Sequence, residues 1–182
     1  MGSEATRRVV VGTVNGLVEG NLRSGSLRTL DFLNRGMGKL VTLLDPKVTG
    51  ARWQPESASV GLCVTGILWA AEIEAMRPGA NRRWVPPQNR CGIRISLPGY
   101  ELRGFLHTPA QGDPIMRLNQ DQACFFALTS ASVIGEDSEF AAAFVAVNKN
   151  QVFAIEPLDE ALDNDDADDA LATVDGSALA AS

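Results

Sequence analysis

A set of short sequence matches recurs along this chain in one order and at a nearly constant spacing. Leu102-Arg-Gly-Phe-Leu106 repeats Val18-Glu-Gly-Asn-Leu22, and Pro98-Gly99 stands where Asn15-Gly16 stood. Leu118-Asn119 follows Leu33-Asn34, and Phe125 to Leu128 follows Leu40 to Leu43. Val133 and Gly135 lie 85 residues after Val48 and Gly50. A shared order with shifts of one to three residues predicts a tandem duplication, so whatever folds in the first half folds again in the second. The units expected are a leader at 1–6, a first copy at 7–76, a Pro/Arg-rich linker at 77–91, a second copy at 92–156, and an acidic tail at 157–182. Three prolines and a glycine between Arg77 and Cys91 exclude an element interior there.

Each copy reads as short strands. Arg8 to Val14 is rich in β-branched residues, and Asn15-Gly16 follows. That pair predicts a type I′ hairpin, in which both central residues need positive φ. Leu17 to Arg23 is the returning strand, with Gly20 permitting a kink. Leu27, Leu30 and Leu33 at helical spacing behind Ser26 predict a short helix ending near Asn34. Lys39 to Leu44 is a third strand, ended by a turn at Asp45-Pro46. Val60 to Val64 and Ile67 to Ile73 are two more, joined near Thr65-Gly66. In the second copy, Ile93-Arg-Ile-Ser-Leu97 alternates apolar and polar residues with period two. Phe144 to Val147 is expected to pair with Gln151 to Glu156 in a closing hairpin across 148–150. The fold class expected is all-β: two tandem small β-barrels of about five short strands each, with a short helix or loop between strands two and three. Strands this short favour a curled sheet over long open edges.

The stretches Val9–Leu22 and Ile93–Leu106 each run apolar strand, glycine turn, and a strand with a glycine two residues before a leucine. This resembles the opening of Sm-like and other SH3-like small barrels, where a bent second strand needs the glycine. It is also similar to uncharacterised bacterial proteins built on that pattern. The chain departs from the Sm pattern where Ser24 to Gly38 and Thr108 to Ala123 intervene before the third strand. The Sm RNA-binding residues have no counterpart in this sequence, and none is carried over.

Charge divides the chain unevenly. All 16 basic residues precede Glu156, against 13 acidic ones, and the nine remaining acidic residues lie from Glu156 onward. The body is therefore net +3 and the tail −9, the pattern of a disordered acidic tail on a mildly basic body. No run of 18 apolar residues is present, so no membrane-spanning helix is expected. The basic residues near Met1 precede only a short β-branched run, which is not a signal sequence, and a cytoplasmic location is expected. Cys63, Cys91 and Cys124 are odd in number and lack metal-ligand spacing, so they read as small buried side chains.

The residues that carry chemistry are few. His107 is the one histidine and has no assignable nucleophile or carboxylate beside it. Gly12 to Gly16 and Gly36-Met-Gly38 lack the lysine and the context of a phosphate loop. Asp163 to Asp169 lacks the glycine and closing glutamate of a calcium loop. No catalytic residue, metal ligand or cofactor is expected. Arg77, Arg82, Arg83, Trp84, Arg90, Arg94, Tyr100 and Arg103 form the most suggestive set. Arginine among aromatics serves single-stranded nucleic acid, protein hot spots and packed linkers alike. The expected function is that of a non-enzymatic adaptor or assembly protein, binding a protein partner or itself. The alternative is a nucleic-acid binder that uses residues 77–103 and is screened by the acidic tail.

Overall fold

β-Branched and apolar runs form ten strands. The computed structural model describes residues 6–51, 53–73, 89–108, 113–136 and 138–158. The first half holds β1 (Thr6–Thr13), β2 (Gly16–Arg23), α1 (Thr29–Arg35), β3 (Leu40–Thr49), β4 (Ser59–Cys63) and β5 (Ile67–Glu72). The second holds β6 (Asn89–Leu97), β7 (Tyr100–Thr108), α2 (Pro114–Gln120), β8 (Phe125–Gly135), β9 (Glu139–Asn148) and β10 (Ala154–Pro157). A 3-10 turn follows β4 at Val64–Gly66 and another follows β9 at Lys149–Gln151. All ten strands join one antiparallel sheet in the order β10-β6-β7-β8-β9-β5-β1-β2-β3-β4. The sheet is open, and it runs through both halves without a break. No helix among the described residues is long and apolar enough to cross a membrane.

The two halves repeat residue by residue. Val9 faces Gly20 across β1–β2, and Ile93 faces Gly104 across β6–β7, a shift of 84. From the third strand onward the shift is 85: Leu40 faces Cys63 as Phe125 faces Asn148. The register breaks once in each second-to-third strand pairing, beside Gly20 and beside Gly104. Opposite those breaks Asp45 (φ 49°) and Ser130 (φ 47°) adopt the left-handed conformation, again 85 residues apart. A bulge bends and twists its strand locally.

Several local expectations are corrected. Asn15 lacks the positive φ of a type I′ turn; the loop is Val14-Asn15, and Gly16 (φ 118°) opens β2. Thr13 Oγ1 accepts from Asn15 N at 3.1 Å and donates to Gly16 O at 2.9 Å, which closes that loop without a second left-handed residue. β3 does not stop at Asp45-Pro46 but passes through it, because the bulge absorbs the irregular backbone. α1 begins at Thr29 rather than Ser26, with Arg28 at its N-cap and no side-chain cap. It is tethered instead through Glu72, which accepts from Thr29 Oγ1 (2.7 Å) and Arg7 Nη1 (3.1 Å). β9 and β10 form no hairpin. β10 turns away to pair with β6, as β5 pairs with β1, and β9 is covered by β5. Cys63 is exposed, and Cys91 and Cys124 are half-buried. Residues 77–88 of the linker, 1–5 of the leader and 159–182 of the tail lie outside the described residues, and β6 begins at Asn89, within the stretch read as the join.

Two apolar clusters fill the interior, and each borrows from the other half. Leu68, Trp69 and Ala71 of β5 pack with Ile93, Ile95, Leu102, Leu128 and Val145. Phe125 and Ala146 of the second half pack with Val9, Val11, Leu22, Leu33 and Leu43. Burial of each large side chain is worth about 1.5–3 kcal/mol, so the exchange ties the halves together strongly.

Candidate functional site: a strand joint and two bare edges

The arginine–aromatic set expected from sequence is split by the sheet. Arg77, Arg82, Arg83 and Trp84 lie outside the described residues. On β6 and β7, directly opposed residues share a face. Arg94 opposes Arg103, while Tyr100 opposes the buried Leu97. Tyr100 therefore sits on the inward face, its ring edge-on to Trp69 with centroids 5.5 Å apart, and burial raises its hydroxyl pKa. The arginines have local partners. Arg94 pairs with Glu156, which raises its pKa, and Arg103 Nε donates to Glu101 Oε1 at 2.8 Å. The Arg90 guanidinium lies 4.5 Å from the centre of the Phe105 ring, a cation–π contact. The structure thus brings Arg94 and Arg103 together as one outward row with Glu156 and Glu101, and sends Tyr100 elsewhere.

His107 opposes Arg90 at the far end of the same strand pair. Its Nε2 is 2.5 Å from Thr129 Oγ1, and its carbonyl accepts from Arg117 Nη1 at 2.5 Å. Partial burial, then the Arg90 charge, lowers its pKa. The imidazole is thus held by the Thr129 hydroxyl, and the Arg117 guanidinium by the His107 carbonyl. Among the described residues no three His, Cys, Asp or Glu side chains group as metal ligands.

The feature that sequence reasoning missed is the joint between halves. β5 and β9 pair as Trp69↔Val147, Ala70↔Ala146 and Ala71↔Val145. Polar side chains gather at its Trp69–Val147 end. Asn34 of α1 donates from Nδ2 to Phe125 O (3.0 Å) and accepts at Oδ1 from Phe125 N (2.8 Å). The fully buried Asn148 donates to Ile67 O at 2.8 Å, and Gln151 Nε2 donates to Thr65 O at 3.0 Å. Side-chain amides here satisfy backbone groups that the strands leave unpaired.

The sheet ends in β4 and β10, each paired on one side only among the described residues. Beside β4, Leu40 is 70% exposed, and just before β10, Phe153 is 88% exposed. Cys63 closes β4; its Sγ shares a 3.0 Å hydrogen bond with Thr65 Oγ1, which lowers the thiol pKa. Both edges are short, β4 at five residues and β10 at four, and β10 carries Glu156 and Pro157. Short, charged and proline-bearing edges resist indiscriminate pairing. The one sequence signal for these edges is the spacing that equates Leu40 with Phe125. Compared with protein families, curated proteins and solved structures, the chain matches none.

Proposed function

We propose that this chain is a non-enzymatic assembly protein that takes up protein strands at the bare ends of its sheet. Each five-stranded half acts as one small curled barrel-like unit. The observation that carries this reading is the β5–β9 joint: two such units already adhere inside the chain by edge-to-edge strand pairing, and the same sheet presents two further edges. Main-chain hydrogen bonds supply affinity in such strand addition, and side-chain pockets supply selectivity. The nucleic-acid alternative has less support, because the described arginines are engaged with Glu156, Glu101 and Phe105 and the described aromatic Tyr100 faces inward.

The test uses an edge-blocked variant, Gly61→Lys with Phe153→Lys. Both positions are exposed, and a Cβ at Gly61 meets only Leu40, at ordinary contact distance. Light scattering and affinity capture are run on the full chain and on the variant. The expected result is association by the full chain that the variant loses. Equal association by both, or a monomer that captures nothing, overturns the proposal.

A further inference from the structure

We infer that the strand each edge takes up is the opposite edge of a second copy of this chain. β10 of one copy pairs with β4 of the next, in the register of the internal β5–β9 joint. This rests on reading the bare edges as strand acceptors, and it names their partner.

The repeat itself carries the argument. The shift of 85 places Val60, Gly61 and Leu62 of β4 where Val145, Ala146 and Val147 of β9 stand. It also places Ala154, Ile155 and Glu156 of β10 where Trp69, Ala70 and Ala71 of β5 stand, as their pairings with β6 and β1 show. The joint between copies is then Leu62↔Ala154, Gly61↔Ile155 and Val60↔Glu156. At its centre the internal Ala70–Ala146 pair becomes an Ile155–Gly61 pair, in which the larger side chain meets a glycine.

The exposed apolar residues fit that joint. Leu68 and Phe125 are 0% and 1% exposed because the internal joint covers them. Their counterparts one repeat away are Phe153 and Leu40, two of the most exposed large apolar side chains described. The ends therefore carry the same two plugs, with nothing among the described residues over them. The helix clamp is duplicated too. Asn34 grips the backbone of Phe125, and its counterpart Asn119 on α2 is exposed, its amide making no hydrogen bond among the described residues. In the joint between copies Asn119 reaches the backbone of Leu40, the residue equivalent to Phe125. Pro157 does not obstruct, since it corresponds to Glu72, one residue past the paired stretch of β5.

The two edges differ, so the contact is head-to-tail. Each added copy presents a new β4 or β10, and association proceeds until a ring closes or a filament grows.

The experiment uses the full chain with Cys63, Cys91 and Cys124 changed to Ala, carrying Gly61→Cys, Ile155→Cys, or both. A short bis-maleimide reports contact whichever way the strand pair is hydrogen-bonded. The double variant is expected to cross-link into a ladder. Each single variant is expected to stay uncoupled alone, and their mixture to give a dimer. Light scattering is expected to give multiples of 19.4 kDa. Leu40→Lys, at an exposed site, is expected to abolish the ladder. Asn119→Ala is expected to weaken association roughly tenfold, from the loss of about two hydrogen bonds, with the melting of the single chain unchanged. Gly61→Cys coupling to itself overturns this joint and leaves the strand-accepting edges standing. A monomer whose capture of another protein is still lost on Gly61→Lys with Phe153→Lys overturns self-pairing alone. A monomer that captures nothing overturns both.

Discussion

Asn34 on α1 holds both backbone groups of Phe125 on β8, donating to its carbonyl at 3.0 Å and accepting from its amide at 2.8 Å. One side chain from the first half thus substitutes for a strand partner at the start of β8 in the second. Asn34→Ala leaves both groups of Phe125 without that partner. We expect a loss of about 1–3 kcal/mol in urea unfolding, with hydrogen exchange at the Phe125 amide rising more than the global change explains.

Gly12 and Trp69 face each other across β1 and β5. A Cβ at Gly12 would lie 2.2 Å from the indole, which has no room to retreat because Trp69 is fully buried. Gly12→Ala is expected to cost about 1–3 kcal/mol through overpacking and to shift tryptophan emission to the red. The indole Nε1 is buried without a hydrogen-bond partner, so Trp69→Phe sacrifices no such bond. Combining the two changes should cost less than the sum of the single losses, a coupling read from a double-mutant cycle.

Ser130 holds a φ of 47° at the exposed bulge of β8. An L-residue there is strained by roughly 1–2 kcal/mol, partly offset by glycine's greater freedom in the unfolded chain. Ser130→Gly should therefore stabilise by about 0.5–1 kcal/mol, whereas Ser130→Val should destabilise. Thermal melts of the two variants check the sign.

The depressed pKa of His107 gives a pH dependence of known sign. Above the unfolded-chain value of about 6.5 the residue is neutral in both states and its share of stability is complete. As pH falls through the lower folded pKa, the unfolded chain has already taken up a proton that the folded chain resists, and that share is lost. Arg90→Met removes the second cause of the depression, so the His107 titration followed by NMR should move upward.

Cys63 is exposed, and the Thr65 hydroxyl lowers its thiol pKa. More thiolate at neutral pH means faster alkylation. Thr65→Val should slow the reaction of Cys63 with iodoacetamide at pH 7 and leave the rate above pH 10 nearly unchanged.

Much of this architecture is legible in the residues. The match of Val18–Leu22 with Leu102–Leu106 marks the true second strands, and Leu33-Asn34 with Leu118-Asn119 marks the two helices. What pattern reasoning could not supply is which strand lies beside which. Phe144–Val147 and Gln151–Glu156 look like a hairpin because they are adjacent and apolar. Their partners are instead β5 and β6, chosen by packing against Trp69 and Ile95. Sequence proximity likewise groups Tyr100 with Arg94 and Arg103, whereas strand alternation places it on the opposite face. Leu40 and Phe153 carry no mark in the sequence, because a single exposed apolar residue is ordinary until its counterpart is seen buried.

The exchange of core residues sets the order in which the chain matures. Trp69 leaves the ribosome well before Val147, by about 4–15 s at roughly 5–20 residues per second. During that interval the nascent first half carries an uncovered indole and an unsheltered Leu68. Native folding of the early half therefore waits on the late one, and severing the chain between Ile73 and Asn89 should yield fragments that precipitate singly and recover only when mixed.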